Sequence, residues 1–216
     1  MLQRVYEQAL KARSLSEVLV ATDDLRIQNH VFDFGGKVVM TSPKHLSGTD
    51  RIAEVIKKMR GSKPFGVVNI QGDEPFIDPL QIDGLVKLLL GKNTFIATLA
   101  LSIHATDEIN TSSVVKLVLN KENEALLFSR SRIPFNQSFL PDHEAGYLRH
   151  IGIYAYRTKT LLELSRLKPG KLEKLESLEQ LRWLENGYSI RVGITTHSSF
   201  SIDTPEDLKR IGEDLL

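Results

Sequence analysis

Four short apolar runs, at 18–21, 38–40, 66–70 and 95–101, alternate through the first half of the 216-residue chain with stretches whose apolar residues recur at helical spacing. No other feature of the sequence limits the fold as much. A parallel pair of strands needs a crossover of about a dozen residues, usually a helix and nearly always right-handed, so the alternation predicts βαβ units and a parallel sheet. The opening helix carries Leu2, Val5, Tyr6, Ala9 and Leu10 on one face. Thr22-Asp23-Asp24 supplies a cap for the next, with Ile27, Val31 and Phe34 inward, and Gly35-Gly36 ends it. A third helix buries Ile52, Val55, Ile56 and Met59, and Asp78-Pro79 starts a fourth that buries Ile82, Leu85, Val86 and Leu89.

The pattern changes after residue 101. Runs at 114–119 and 125–128 flank Asn120-Lys121-Glu122-Asn123-Glu124, a polar connection of hairpin length, so the second half adds antiparallel strands. Residues 150–157 alternate, placing His150, Gly152, Tyr154 and Tyr156 on one face and Ile151, Ile153 and Ala155 on the other. Leucines at 161, 162, 172, 175, 178, 181 and 184, with Trp183, read as helices packed on the core or on another subunit. Glu176, Glu179 and Gln180, at i, i+3 and i+4, share one polar side of a helix, a solvated face unless something else claims it. A strand at 190–194 precedes a last helix with Thr204 as cap and Pro205 in its first turn. The result is an α/β chain, a mostly parallel sheet flanked by helices with an antiparallel extension, in one domain over 1–216.

Composition excludes several classes of function. A formal net charge of +1 with interspersed signs leaves no electrostatic footprint for nucleic acid or an anionic membrane. The chain has no cysteine, so disulfides, thiolate catalysis and cysteine-ligated zinc are out, and a reducing compartment fits. No run approaches the roughly 20 apolar residues of a membrane span, and no signal pattern opens the chain, so the cytoplasm is the expected address.

Chemistry is expected where Val67-Val68-Asn69-Ile70 ends in Gln71-Gly72-Asp73-Glu74-Pro75. Open α/β sheets place ligands at the carboxyl ends of their strands, Pro75 stops the ladder, and two carboxylates there suit Mg²⁺ carrying a polyphosphate. An acidic turn that only ends a strand is the alternative. Ser47-Gly48-Thr49-Asp50-Arg51 could hold a phosphate or base edge at a helix N-terminus, or Thr49 or Asp50 could simply cap that helix. Arg130 and Arg132, beside Pro134, could receive a carboxylate or phosphate, or face solvent. Asp203 precedes the last cap and is free for another role.

These segments, with Ala21-Thr22-Asp23-Asp24, Phe128-Ser129-Arg130, His150 through Arg157, Glu176 through Arg182 and Ile202-Asp203-Thr204-Pro205-Glu206-Asp207, resemble in order the 3-deoxy-manno-octulosonate (Kdo) cytidylyltransferases. The resemblance implies a Rossmann-like fold of nucleotide-diphospho-sugar transferase type. It implies a cytoplasmic, Mg²⁺-dependent homodimer joining CTP and Kdo into CMP-Kdo and pyrophosphate for lipopolysaccharide assembly. Asp73 and Asp203 match the metal-binding carboxylates, and His150, Tyr154, Glu179 and Gln180 the residues that hold the sugar acid, with Arg130 a further candidate for its carboxylate. Ser47, Thr49, Arg51 and Gln71 match the nucleotide pocket.

The family begins with a strand and a Gly-, Ser-, Arg- and Lys-containing triphosphate loop, and this chain starts after that point. The resemblance therefore implies an N-terminally incomplete domain with weak CTP binding and a sheet lacking a strand. The competing functions are a sister enzyme such as a CMP-sialic acid synthetase, a glycosyltransferase consuming a nucleotide sugar, and a silent homologue that only dimerises.

Overall fold

The computed structural model describes residues 1–197 and 202, and the first predicted crossover forms where the sequence puts it. Strand β1 (Val20–Thr22) is followed by helix α2 (Leu25–Asp33) and by β2 (Val38–Met40), and the two strands pair in parallel with Val20 opposite Val38 and Thr22 opposite Met40. Asp24 caps α2 by accepting the Arg26 amide at 2.7 Å. Val31 seals the buried side of α2, whereas Ile27 is half exposed, because a nine-residue helix on a two-stranded ribbon has only a narrow buried stripe. Helix α1 (Leu2–Lys11) buries Val5, Tyr6 and Ala9 and leaves Leu10 exposed, one position short of the predicted face.

Packing divides the chain into two compact units. The first holds residues 1–59 and 69–83 with the described residues from His197 onward; the second holds 60–68 and 84–196. In the first unit Ser14, just past α1, donates its amide and hydroxyl to Asp83 at 2.9 and 2.6 Å, which holds that carboxyl below its ordinary value. Helix α3 (Gly48–Lys58) completes this part.

The second unit is built on strand β4 (Ile96–Ser102), flanked by β7 (Leu148–Arg157), antiparallel, and β8 (Arg191–Ile194), parallel. Strands β5 (Lys116–Leu119) and β6 (Ala125–Ser129) form the predicted hairpin and extend the sheet in the order β6-β5-β7-β4-β8, with β3 (Gly66–Asn69) also on β7. The α/β class and its antiparallel extension are therefore both present. Helix α4 (Pro79–Leu89) follows β3, short α5 (Thr106–Asn110) follows β4, and α6 (Thr158–Leu164), α7 (Lys171–Glu176) and α8 (Gln180–Glu185) lie between β7 and β8. Among the described residues no helix is long and apolar enough to cross a membrane.

The sequence places Glu176, Glu179 and Gln180 on one helix, and the structure breaks that helix between them. Ser177 sits at φ +52°, a left-handed conformation that ends α7. The break is held from outside: Arg182 on α8 reaches back to the Glu173 carboxylate of α7 at 2.8 and 2.5 Å, and Arg182 is almost fully buried. Nor is this a solvated face, since Gln180 is buried and Glu176 accepts the Ser129 hydroxyl at 2.7 Å and the Arg130 amide at 3.0 Å.

Strands β3 and β7 approach closely because residue 66 is glycine. A Cβ there would stand 2.5 Å from Leu89 Cδ2 and 2.9 Å from the Tyr156 carbonyl oxygen, and the latter is backbone that cannot swing away. Gly66→Ala should lower the urea midpoint, with a loss of about 1–3 kcal/mol at unchanged slope. An unchanged midpoint would show that the strand can shift to make room.

Candidate functional site

The candidate residues form two groups, one in each unit. In the first, the polar loop after β2 enters α3 through Ser47, whose hydroxyl accepts the Asp50 amide at 3.2 Å. Ser47 is thus the cap, not Thr49 or Asp50, and Thr49 turns inward and is buried. Position 48 is glycine because the loop presses on the end of β3: a Cβ would lie 3.2 Å from Gln71 Nε2 and 3.3 Å from Asn69 Nδ2. The Ser47–Arg51 segment and the Gln71-Gly72-Asp73 corner are therefore neighbours. The Arg51 guanidinium is fixed by Thr41 Oγ1 at 2.7 Å and the Asp23 carboxylate at 3.1 Å, which brings the first cap segment to the same place.

Asp73 and Glu74 are half-buried just past β3. The Asp73 carbonyl accepts the Ile202 amide at 2.8 Å, so the residue next to Asp203 in the sequence lies on this corner. Asp203 itself, Thr204 and the predicted last helix lie outside the described residues. Among the described residues no cluster of three or more His, Cys, Asp or Glu side chains could hold a metal.

Sequence reasoning missed the residue that fastens the loop. Glu54 on α3 accepts the Ser42 amide at 3.0 Å and the His45 ring N–H, and pairs with Lys58 at 2.6 Å. The Lys58 ammonium first, then the Ser42 amide and His45, hold the Glu54 carboxyl down at about 2. The pairing of a glutamate on the third helix with a histidine nine residues earlier, before its cap, was the available signal.

The second group gathers on one face of β7. His150 and Tyr154 have ring centroids 5.2 Å apart, Phe128 meets His150 edge-on at 5.1 Å, and Trp183 of α8 meets Tyr154 edge-on at 5.0 Å. The predicted shared face holds even though β7 bulges. Ile151 and Tyr154 pair with the consecutive residues Leu99 and Thr98, so Gly152 and Ile153 lie unpaired between them, and an insertion of two keeps the alternation in phase. Burial depresses His150 to about 3, so its imidazole is neutral. Burial, with Tyr156 and Glu179 nearby, raises Tyr154 well above its ordinary value, so it stays a phenol. Trp183 Nε1 is buried without a hydrogen-bond partner among the described residues, and the buried Tyr154 hydroxyl has the Thr98 side chain beside it, polar atoms that a ligand with hydroxyl or carboxylate groups would meet.

Gln180 opens α8 directly after Glu179. Arg130 is the buttress of this corner: its guanidinium donates to the carbonyls of Glu176 at 2.8 Å, Ser112 at 3.1 Å and Ser177 at 3.5 Å, using three of its five N–H groups. Lys116, fully buried and also unforeseen, donates to the carbonyls of Thr111, Val114 and Arg130, and burial lowers its pKa. Arg132 is engaged with the Tyr147 hydroxyl at 2.8 Å and Asp142 at 2.5 Å.

Residues 1–192 match the family described as Cytidylyltransferase. A 3-deoxy-manno-octulosonate cytidylyltransferase of Parabacteroides distasonis is 50% identical over 219 residues, covering 97% of this chain and 85% of that protein. An 8-amino-3,8-dideoxy-manno-octulosonate cytidylyltransferase of Shewanella piezotolerans is 46% identical over 211 residues, covering 97% and 85%. The solved structure of a CMP:2-keto-3-deoxy-manno-octonic acid synthetase complexed with CTP superposes with a TM-score of 0.90 at 40% identity, again over 97% of this chain and 85% of that one.

Glu54 gives the site a measurable acid signature. Its folded pKa lies below the ordinary 4.5, so the stabilisation it provides is complete above about pH 4.5 and is lost as pH falls toward 2. Between those values the wild-type melting temperature should fall more steeply than that of Glu54→Gln, and parallel pH profiles for the two would contradict the pinned loop.

Proposed function

This chain belongs to the 3-deoxy-manno-octulosonate cytidylyltransferases, within the cytidylyltransferase family, and from that premise we propose that it transfers CMP from CTP to Kdo with release of pyrophosphate. The anomeric hydroxyl oxygen of Kdo attacks the α-phosphorus in line. A P–O bond forms to that oxygen, the bond from α-phosphorus to the α,β-bridging oxygen breaks, the hydroxyl proton passes to solvent, and pyrophosphate leaves. Most of the acceleration comes from holding the hydroxyl against phosphorus.

The observation that carries the nucleotide half is the meeting of four separate sequence segments in the first unit. Gly48 presses on Asn69 and Gln71, Arg51 is fixed by Asp23 and Thr41, and the Ile202 amide bonds the Asp73 carbonyl. In this reading Ser47, Arg51 and Gln71 border the nucleotide, with Thr49 packing α3 beneath them. Asp73 and Asp203 would hold Mg²⁺, an ion that takes one or two protein carboxylates together with substrate phosphates, and the hard oxygens of Asp73 and its neighbour Glu74 fit that demand. The chemistry Mg²⁺ supplies when bound is polarisation of the α-phosphate and neutralisation of charge on the departing pyrophosphate.

In the second unit His150, Tyr154, Glu179 and Gln180 hold the sugar acid. The reading is supported by the neutral imidazole, the buried Trp183 Nε1 without a described partner, and the common face of His150 and Tyr154. Arg130 keeps two N–H groups beyond its three carbonyl bonds for the sugar carboxylate. A cytoplasmic homodimer completes the proposal; Leu172 and Leu175 on α7, 40% and 73% exposed, offer an apolar stripe for the partner copy.

The 46% identity to an 8-amino-3,8-dideoxy-manno-octulosonate enzyme favours a second reading, in which the amino sugar is the acceptor. Pyrophosphate release, followed with CTP, Mg²⁺ and either acid, separates the two. Kdo should give the larger kcat/KM, and preference for the amino sugar would reverse the assignment. Asp73→Asn should lower kcat by roughly 10²–10³-fold or more with an unchanged circular dichroism spectrum, and near-normal turnover would remove Asp73 from the metal site.

A further inference from the structure

We propose that Thr98 is a positioning residue that fixes the tautomer of His150, holding the proton on Nε2 so that Nδ1 is presented as a hydrogen-bond acceptor. Thr98 is fully buried in β4 at the β7 bulge. Its hydroxyl oxygen lies 2.7 Å from the Ile153 carbonyl, 3.3 Å from the Ile151 carbonyl and 2.9 Å from His150 Nε2. A hydroxyl has one proton, and a carbonyl can only accept. If that proton went to the imidazole, the threonine oxygen would face the Ile153 carbonyl oxygen at 2.7 Å with no hydrogen between two lone-pair-bearing atoms. The proton therefore lies on the carbonyl side, and the contact with the ring exists only if Nε2 carries hydrogen and donates to Thr98.

Burial keeps the ring neutral, so a proton on Nε2 leaves Nδ1 bare. Nδ1 makes no hydrogen bond within the described residues. A bare nitrogen lone pair accepts from a hydroxyl and repels a carboxylate. The inference rests on the sugar-acid role of His150 and sharpens it: His150 reads a hydroxyl of the acceptor, and the carboxylate is received elsewhere. The bulge serves the same end, because the Ile151 and Ile153 carbonyls that orient the Thr98 hydroxyl flank the two residues β7 inserts there.

Nitrogen-15 NMR of the histidine-labelled protein, with His150 assigned by comparison with His150→Gln, tests this without substrate. Wild type should show a protonated, pyrrole-type Nε2 and a bare, pyridine-type Nδ1. Thr98→Val, which matches threonine in size and offers no acceptor, should lose that pattern and raise the KM for Kdo roughly tenfold, with kcat and the KM for CTP near wild type. Thr98→Ser should restore both. A pyridine-type Nε2 in the wild type, or a Thr98→Val protein with unchanged tautomer and KM, would overturn the proposal. The two readings fail separately: the NMR pattern stands if Kdo is not the acceptor, and Kdo turnover stands if the tautomer is reversed.

Discussion

The antiparallel ladder between β4 and β7 is the constraint on which the second unit depends. Its residues pair from Ile96 opposite Tyr156 to Ser102 opposite Leu148, and β4 is buried through its first five positions. Every other strand of that sheet joins β4 or β7 directly, except β6, which joins through β5. The bulge opposite Thr98 and Leu99 is where this ladder departs from regularity, and His150 and Tyr154 stand on either side of it. Frame and candidate site therefore share a single feature: the pairing that organises the sheet also sets which side chains share the His150–Tyr154 face.

Much of the frame was legible because its signals are local. Asp24 as a cap, Asp78 before Pro79, the apolar triplet Val38-Val39-Met40 and the hairpin around 120–124 act within a few residues, and each formed where the sequence indicates. The split between α7 and α8 was not legible. Leucine spacing continues across it, and the left-handed turn at Ser177 is held by the Glu173–Arg182 pair that closes across it and by Arg130, which is remote in sequence and donates to the Glu176 and Ser177 carbonyls.

The candidate site divides along the same line. Spacing alone marked the Asp73-Glu74 corner as a carboxylate-bearing strand end, while its role and those of His150, Tyr154, Glu179 and Gln180 came from resemblance to the family. The supporting residues were silent in the sequence. Lys116 reads as an ordinary exposed lysine until its ammonium is seen on three carbonyls, and Thr98 meets His150 across 52 residues. Buried polar partners of this kind leave no periodic trace, because each depends on one tertiary contact and not on a repeated face.

The central claim is that the anomeric oxygen of Kdo becomes the bridge to the α-phosphorus of CTP. Kdo labelled with oxygen-18 at its anomeric hydroxyl tests it by phosphorus NMR of the product. The label should stay in the phosphorus–oxygen–carbon bridge of CMP-Kdo, and the pyrophosphate should be unlabelled. A bridge without the label, beyond the exchange shown by Kdo alone in water over the same interval, would mean that the anomeric oxygen is not the nucleophile, and would contradict the mechanism built on these residues.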